Sequence, residues 1–463
     1  MLPCALLAVA DKNVDTALVF FAIILALAIP GTFFIRLLYH SKRGELSARD
    51  GYLLVFVAWV GIAFFASLPF YFSAAVPTMA DAFFEASSGV STTGATVIDD
   101  IESLPRAIIL WRATCHWMGG MGIIMLTVAL LPLLGIGGLQ LLKAEQHGVD
   151  SEKLTSRAAQ TAKYLWIIYT AFTIICMIFY KIGGMTTFDA VCHAFSAIAT
   201  GGFSTKNSSM EYFSPFIQWT TVLAMFLGGC SFILFYRAFT GKFLKILKNT
   251  ELRVYIGIIL VVTAIATFSS MHHHVFDSIE ETIRQSMFQV VSFITTTGFA
   301  TTDYTAWPPL SKFALFLMLF IGGCSGSTAG GIKIARIVLI FKQAIIELKY
   351  LVHPRGVFTL RLNGNTVSKD IVYSVIGFFI LYLFTVMLVA AVASFAGANL
   401  ETAFSTGLAM VGNTGLGMSG IGPTDTYSFY PGFVKWVLGF AMLIGRLELY
   451  TFFVLLTPFF WKR

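Results

Sequence analysis

Apolar residues along this chain run in long blocks rather than alternating with polar ones, and a block of about twenty is what a helix needs to cross a bilayer. Such blocks cover residues 16–39, 52–72, 105–138, 164–180, 215–239, 254–268, 309–346, 371–393 and 431–460. Polar and basic residues collect between them. The opening residues 1–13 (MLPCALLAVADKN) are apolar but too short to span, and no basic segment precedes them as it does in a secretory leader.

Shorter stretches of a different kind recur between the spans. They read DAFFEASSGVSTTGA from Asp81, DAVCHAFSAIATGGF from Asp189, QSMFQVVSFITTTGF from Gln285 and TAFSTGLAMVGNTGL from Thr402. The copies align without a gap, and each reaches a glycine thirteen residues on: Gly94, Gly202, Gly298 and Gly415. Two positions earlier stand Thr92, Thr200, Thr296 and Asn413, with Thr93, Gly201, Thr297 and Thr414 between. Four positions before the glycines stand the β-branched Val90, Ile198, Ile294 and Val411.

Each copy predicts about ten helical residues, ~15 Å or half the hydrocarbon core, followed by an extended turn. Such a segment enters the membrane without crossing it. Non-helical backbone survives at that depth only where it is buried in protein or lines an aqueous cavity, so four copies predict four walls of one pore. Glycine reaches dihedrals that a residue with a Cβ resists, which lets successive carbonyls face one axis. Rings of carbonyls that replace an ion's hydration shell are how potassium filters work. Small residues that merely pack helices are the plainer reading, but packing alone does not require a gapless fourfold repeat.

The fold expected is therefore an all-α polytopic membrane protein of four pseudo-symmetric helix–pore loop–helix repeats around a central ion pore, preceded by at least one further transmembrane helix. Its divisions fall at 1–50, 51–158, 159–250, 251–362 and 363–463.

Composition agrees and narrows the function classes. The 463 residues are 57% hydrophobic and 12% charged, with a mean hydropathy of +0.79. The net charge of +7 does not indicate nucleic acid, because the basic residues sit in connections between spans rather than on one soluble face. Those connections alternate: the ones between repeats are rich in Lys and Arg and those around the pore loops are poor, which places the former in the cytoplasm and opens the filters outward. The six cysteines show no paired spacing, and the His272 to His274 run has no ligand partner at metal-binding spacing. No H-E-x-x-H or G-x-S-x-G pattern supports an enzyme.

Two further motifs, HWMGGMGI from His116 and IGGCSGSTAGGIKIAR from Ile321, complete a likeness over nearly the whole chain. Together with the four loops they resemble the Trk/Ktr/HKT potassium transporter superfamily, and most closely the bacterial Trk-type membrane subunit. The resemblance implies a filter of Thr92, Thr93, Gly94, Thr200, Gly201, Gly202, Thr296, Thr297, Gly298, Asn413, Thr414 and Gly415, with potassium in the pore and no bound cofactor. It implies a homodimer in the bacterial cytoplasmic membrane, regulated by a cytoplasmic nucleotide-binding ring that would dock on the basic linkers 237–253 and 342–361. Trk-type subunits usually carry one more complete helix in front of the leading span, so the start is expected to be truncated or misplaced. His116 with Trp117 to Gly120 is read as pore-wall support, and the fourth loop, with Asn413, is expected to line the ring less regularly.

Two anomalies lie within apolar spans. The run 322–331 (GGCSGSTAGG) is one that no helix tolerates at mid-span, and in the resembled family a loop at this place gates the path below the filter. Gly322, Gly323, Ser325, Gly326, Ser327, Thr328, Gly330, Gly331 and Lys333 form this candidate gate, with Ser325, Ser327, Thr328 and Lys333 as its hydrogen-bonding anchors. Arg446 is the second anomaly, since an arginine in an apolar span costs at least ~2.5 kcal/mol unless it is partnered or wet. It is expected to contact the loop, the plainer reading being a structural pair with Glu448. Inner-helix glycines at Gly120, Gly229, Gly323 and Gly445 form a further column. Asp81, Glu85, Asp189 and Glu401 at the short helices suggest capping with some attraction for cations.

A voltage sensor's spaced arginines are missing, and the repeats run in one direction with uncharged filters. An ion-coupled symport mechanism with inverted repeats and charged midplane residues is thus the alternative to channel-like uptake.

Overall fold

The computed structural model describes residues 1–39, 48–125, 154–239, 248–363 and 365–462. Helix α1 (Leu2–Ala10) buries Cys4, Ala5 and Ala8 against α2 (Val14–Tyr39) and the first inner helix. Four units follow, each an outer helix, a short pore helix, a filter turn and an inner helix. The first comprises α3 (Ala48–Phe72), α4 (Met79–Val90) and α5 (Arg106–Met125). The second comprises α6 (Leu154–Ile182), α7 (Thr187–Ile198), α8 (Pro215–Gly229) and α9 (Phe232–Phe239). The third comprises α10 (Thr250–His272), α11 (Ile279–Ile294), α12 (Pro309–Met318) and α13 (Ile334–Val352). After a two-residue hairpin pairing Arg361–Leu362 with Asn365–Thr366 comes the fourth: α14 (Lys369–Phe395), α15 (Leu400–Val411), α16 (Gly432–Arg446), α17 (Leu449–Leu456) and α18 (Pro458–Trp461).

Among the described residues five helices, α2, α3, α6, α10 and α14, are long and apolar enough to cross a membrane. The inner helices depart from the sequence expectation. A single break was expected, in the third; the second bends by 92° between α8 and α9 and the fourth by 112° between α16 and α17. The part of the first inner span beyond Met125 lies outside the described residues.

Each pore helix starts with a side-chain cap. Thr78, Thr186, Ser278 and Asn399 accept from the backbone N–H three residues on, satisfying donors that lipid cannot. Each pore helix then packs on its own outer helix and on the inner helix of the preceding unit: α4 on α16, α7 on α5 and α11 on α8. Phe404 of α15 completes the cycle by stacking 6.2 Å from Phe316 of α12. The repeats are therefore interlocked rather than merely adjacent.

Candidate functional site: a four-loop ring and the loop beneath it

Each pore helix ends in the same way. The second residue after its last helical position turns left-handed, with φ of 55° at Thr92, 53° at Thr200, 53° at Thr296 and 56° at Asn413. The next N–H then reaches back five residues, as from Thr93 to the Ser88 carbonyl at 2.9 Å and from Thr297 to the Ser292 carbonyl at 2.8 Å. This is the bonding of a glycine-type helix stop, built here on residues that carry a Cβ. The second positive φ falls on the glycines, 83° at Gly94, 91° at Gly202, 78° at Gly298 and 75° at Gly415.

The four loops touch in cyclic order. A Cβ on Gly94 would collide with the Gly201 carbonyl oxygen, one on Gly202 with that of Thr297, one on Gly298 with that of Thr414, and one on Gly415 with that of Thr93. Glycine at these positions is thus required twice, by dihedral and by the approach of the neighbouring backbone. The segments above close a second ring. Ile101 N–H donates to Asn207 at 2.8 Å, Met210 N–H to the Ala300 carbonyl at 2.9 Å, Tyr304 Oη to the Gly417 carbonyl at 2.7 Å, and Tyr427 N–H to the Thr96 carbonyl at 2.8 Å. A cavity of about 310 Å³ opens above, lined by all four filter glycines, by Asp99 and Asp425 and by Arg112 and Lys206.

The irregularity expected of the fourth loop is not in its dihedrals, which match the other three. Asparagine tolerates the left-handed region better than threonine does. The difference lies in bonding: Asn413 Nδ2 donates to Thr93 Oγ1 at 2.9 Å and the Met442 carbonyl at 2.8 Å, and the Gly415 carbonyl accepts from Tyr427 Oη at 3.0 Å.

Asp81, Asp189 and Glu401 lie in the first turns of their pore helices, as a capping role requires, and Asp81 and Asp189 accept from the cap hydroxyls of Thr78 and Thr186. Glu85 is fully buried and paired with Arg112 at 2.8 Å, and it accepts from Thr96 Oγ1 and Val97 N–H at 3.1 Å. Asp81 pairs with Lys435 at 2.6 Å, and Asp189 accepts from Thr205 Oγ1 at 2.6 Å. Glu85 and Asp81 thus hold the loops through ion pairs, and Asp189 through hydroxyl donors. Arg112 spans two repeats, with Nη2 on Thr96 Oγ1 at 3.2 Å and its guanidinium 4.0 Å from the Phe203 ring.

Beneath the ring lies the third unit's broken inner helix. Between Leu319 and Lys333 the chain folds into a closed loop, its neck held by Gly322 N–H on the Ile332 carbonyl at 2.8 Å. The Gly323 position packs on Ala329 and on the Gly229 carbonyl, too close for a Cβ, while Gly326 and Gly331 take φ of 73° and 63°. The breaks satisfy one another. Cys324 and Thr328 N–H groups donate to the Gly229 and Gly228 carbonyls that end α8, at 2.9 and 3.2 Å, and the first N–H of α9, from Phe232, donates to the Gly326 carbonyl at 3.0 Å. The second helix breaks because the loop of the third supplies the partners that an intact helix would have found in itself.

The loop touches the filter from below. Gly330 N–H donates to Thr296 Oγ1 at 2.6 Å, Thr200 Oγ1 lies 3.2 Å from Thr328 Oγ1, and Thr328 Oγ1 donates to the Ile198 carbonyl at 3.1 Å. Arg446, only 3% exposed, donates through Nη1 to the Thr328 carbonyl at 2.7 Å. Its Nε and Nη2 have no partner among the described residues, and Glu448 pairs with Arg336 instead. Of the expected anchors, Thr328 and Lys333 bond through their side chains, Lys333 to the Ala329 carbonyl. Ser325 is held through its backbone, and Ser327 Oγ has no partner among the described residues. The sequence reading missed Glu251, at the start of α10, whose Oε1 accepts from Ser325 N–H at 2.6 Å and Ala335 N–H at 3.2 Å. Its only sequence signal was a carboxylate beside an apolar block.

Comparison with known proteins agrees with this geometry. The TrkH family model, described as cation transport protein, matches residues 19–463. The chain belongs to the TrkH family. It is a multi-pass protein of the bacterial cytoplasmic membrane. It is 41% identical over 452 residues to the Trk system potassium uptake protein TrkH of Salmonella typhimurium, covering 94% of this chain and 92% of that one. It is 42% identical over 427 residues to the protein of that description from Vibrio parahaemolyticus, covering 90% and 87%. The crystal structure of the potassium transporter TrkH from Vibrio parahaemolyticus superposes with a TM-score of 0.90 at 38% identity, over 100% of this chain and 96% of that one.

Proposed function

We propose that this chain is a potassium-conducting uptake subunit in which the four-loop ring selects the ion and the loop 322–333 gates it. The observation that carries the reading is the cyclic packing of each filter glycine on the carbonyl of the next repeat. It leaves a closed ring of backbone, uncharged by side chains, at the base of an open cavity. Carbonyls in such a ring replace hydration water, and an inside-negative potential supplies ~2.3 kcal/mol per charge per 100 mV, enough for uptake without a coupling ion. The four repeats run in one direction rather than as an inverted pair, which favours this over symport with Na⁺ or H⁺.

In the same reading Arg446 and the loop bar the path below the ring. The arginine's unpartnered N–H groups put a positive charge there, repelling a cation until the loop moves. Regulation by a nucleotide-binding cytoplasmic ring, acting on a homodimer through the basic segments 237–253 and 342–361, completes the proposal and comes from the family resemblance. Rubidium flux into liposomes, with sodium as competitor, tests the filter. Gly298→Ser should lower potassium-over-sodium discrimination at least tenfold, since its Cβ meets the Thr414 carbonyl. Wild-type discrimination in Ser variants at all four glycines would overturn the carbonyl-ring reading. Growth at low potassium of cells lacking uptake systems, with and without the ring protein, tests the physiological role.

A further inference from the structure

Two of the four filter loops brace themselves by a hydroxyl pair. In the first, Ser91 Oγ and Thr93 Oγ1 lie 2.6 Å apart; in the third, Thr295 Oγ1 and Thr297 Oγ1 lie 2.7 Å apart. All four hydroxyl groups are fully buried. Each bond links the last turn of the pore helix to the middle residue of the filter, so it restrains the peptide whose carbonyl packs on the neighbouring glycine. In the second loop the same two positions are Ala199 and Gly201. Neither can make the bond.

The space is not left open. A Cβ on Gly201 would run into Nδ1, Cγ and Cε1 of His116, a residue of the first unit's inner helix. That imidazole cannot swing aside cheaply. It is fully buried, it shares a 2.9 Å hydrogen bond through Nδ1 with Ser196 Oγ on the second pore helix, and it stacks on Phe203, just beyond filter Gly202, with centroids 4.1 Å apart and planes 13° apart. At the same distance before the inner-helix glycines of the other units stand Met225, Leu319 and Ala441. Only the first unit carries an aromatic, hydrogen-bonding group there, and the loop it faces is the one with glycine in the middle. The fourth loop, with Gly412 and Thr414, also lacks the hydroxyl pair but keeps the threonine, and is held instead by Asn413 Nδ2 on Thr93 Oγ1 and the Met442 carbonyl.

We propose that His116 is the brace of the second filter loop, a positioning residue matched to Ala199 and Gly201. It connects the pore helix, through Ser196, to the outer end of the filter, through Phe203, and its ring fills the volume that the threonine methyl and hydroxyl occupy elsewhere. The glycine at Gly201 is then a packing requirement set by another repeat, and discrimination at this loop depends on a side chain that never meets the ion. The inference rests on the carbonyl-ring reading of the filter.

The test is an exchange of one brace for the other, read as rubidium-over-sodium flux ratio in liposomes. His116→Ala should still conduct, with discrimination reduced roughly five- to tenfold, the effect of losing one buried bond and its packing. Gly201→Thr alone should be poorly tolerated, because His116 is in the way. Combining His116→Ala with Ala199→Ser and Gly201→Thr should restore wild-type discrimination by installing the hydroxyl pair, which a merely space-filling role would not allow. Wild-type discrimination in His116→Ala, or failure of the triple variant to recover it, overturns the proposal. Gly298→Ser run in parallel separates this from the filter reading: if Gly298→Ser loses discrimination and His116→Ala does not, only the brace is wrong. Should His116→Ala not accumulate in membranes, the triple variant decides alone, since a filter that discriminates without the histidine supports the exchange and one that does not refutes it.

Discussion

The left-handed residues at the foot of the filter carry strain that their position makes useful. Three are threonines, and a β-branched residue in this region costs ~1–2 kcal/mol that the surrounding packing must offset. Thr200 and Thr296 use their hydroxyls on the loop below, but Thr92 Oγ1 has no partner among the described residues. Thr92→Asn should therefore raise thermal stability by about 0.5–1 kcal/mol and leave ion discrimination unchanged, as the fourth loop already works with asparagine. A thermal unfolding midpoint at or below the wild-type value would contradict this. The Thr-x-Gly spacing was visible in the sequence; that the threonine rather than the glycine ends the helix was not, because helix stops are usually read from glycine.

At the scale of elements, the glycine run at 322–331 was legible because no helix carries it, whereas the breaks after Gly229 and Arg446 were not. An apolar stretch with two glycines scores as a continuous span, and its interruption depends on partners from another unit. The same holds for Glu251 and Arg446, which grip the loop from separate helices, at Ser325 and at Thr328. Releasing either grip should free the loop, so Glu251→Ala and Arg446→Ala should each raise basal flux several-fold, a change of about 1 kcal/mol or more in the barrier. Their combination should add little beyond the larger single effect, because both act on one element. Potassium-over-sodium discrimination should stay near wild type in all three. Fully additive effects, or unchanged flux in both single variants, would mean that the two residues do not hold a common gate.

For the whole molecule, closure of the ring is what joins four units into one pore. The buried Glu85–Arg112 pair ties Thr96 of the first unit to the ring of Phe203 in the second. Removing one partner strands the other charge, so Arg112→Met should cost about 3–5 kcal/mol, and adding Glu85→Leu should recover much of it. Thermal unfolding of the detergent-purified variants measures both, and equal stability of the single and double variants would rule out a stranded charge. The four copies, the membrane class and the two anomalous spans followed from the sequence, because hydropathy and helix-breaking glycines are local properties that no folding partner alters. Which copy neighbours which, why Gly201 replaces threonine, where Glu85 directs its charge and which carbonyl of the loop Arg446 grips were decided only in the tertiary structure. Each of those depends on a contact between separate segments of the chain, Gly201 with His116 of another unit, Arg446 with Thr328 of another unit and Glu85 with Arg112 across the filter turn, and nothing in a linear pattern records which side chain fills the space beside a given backbone.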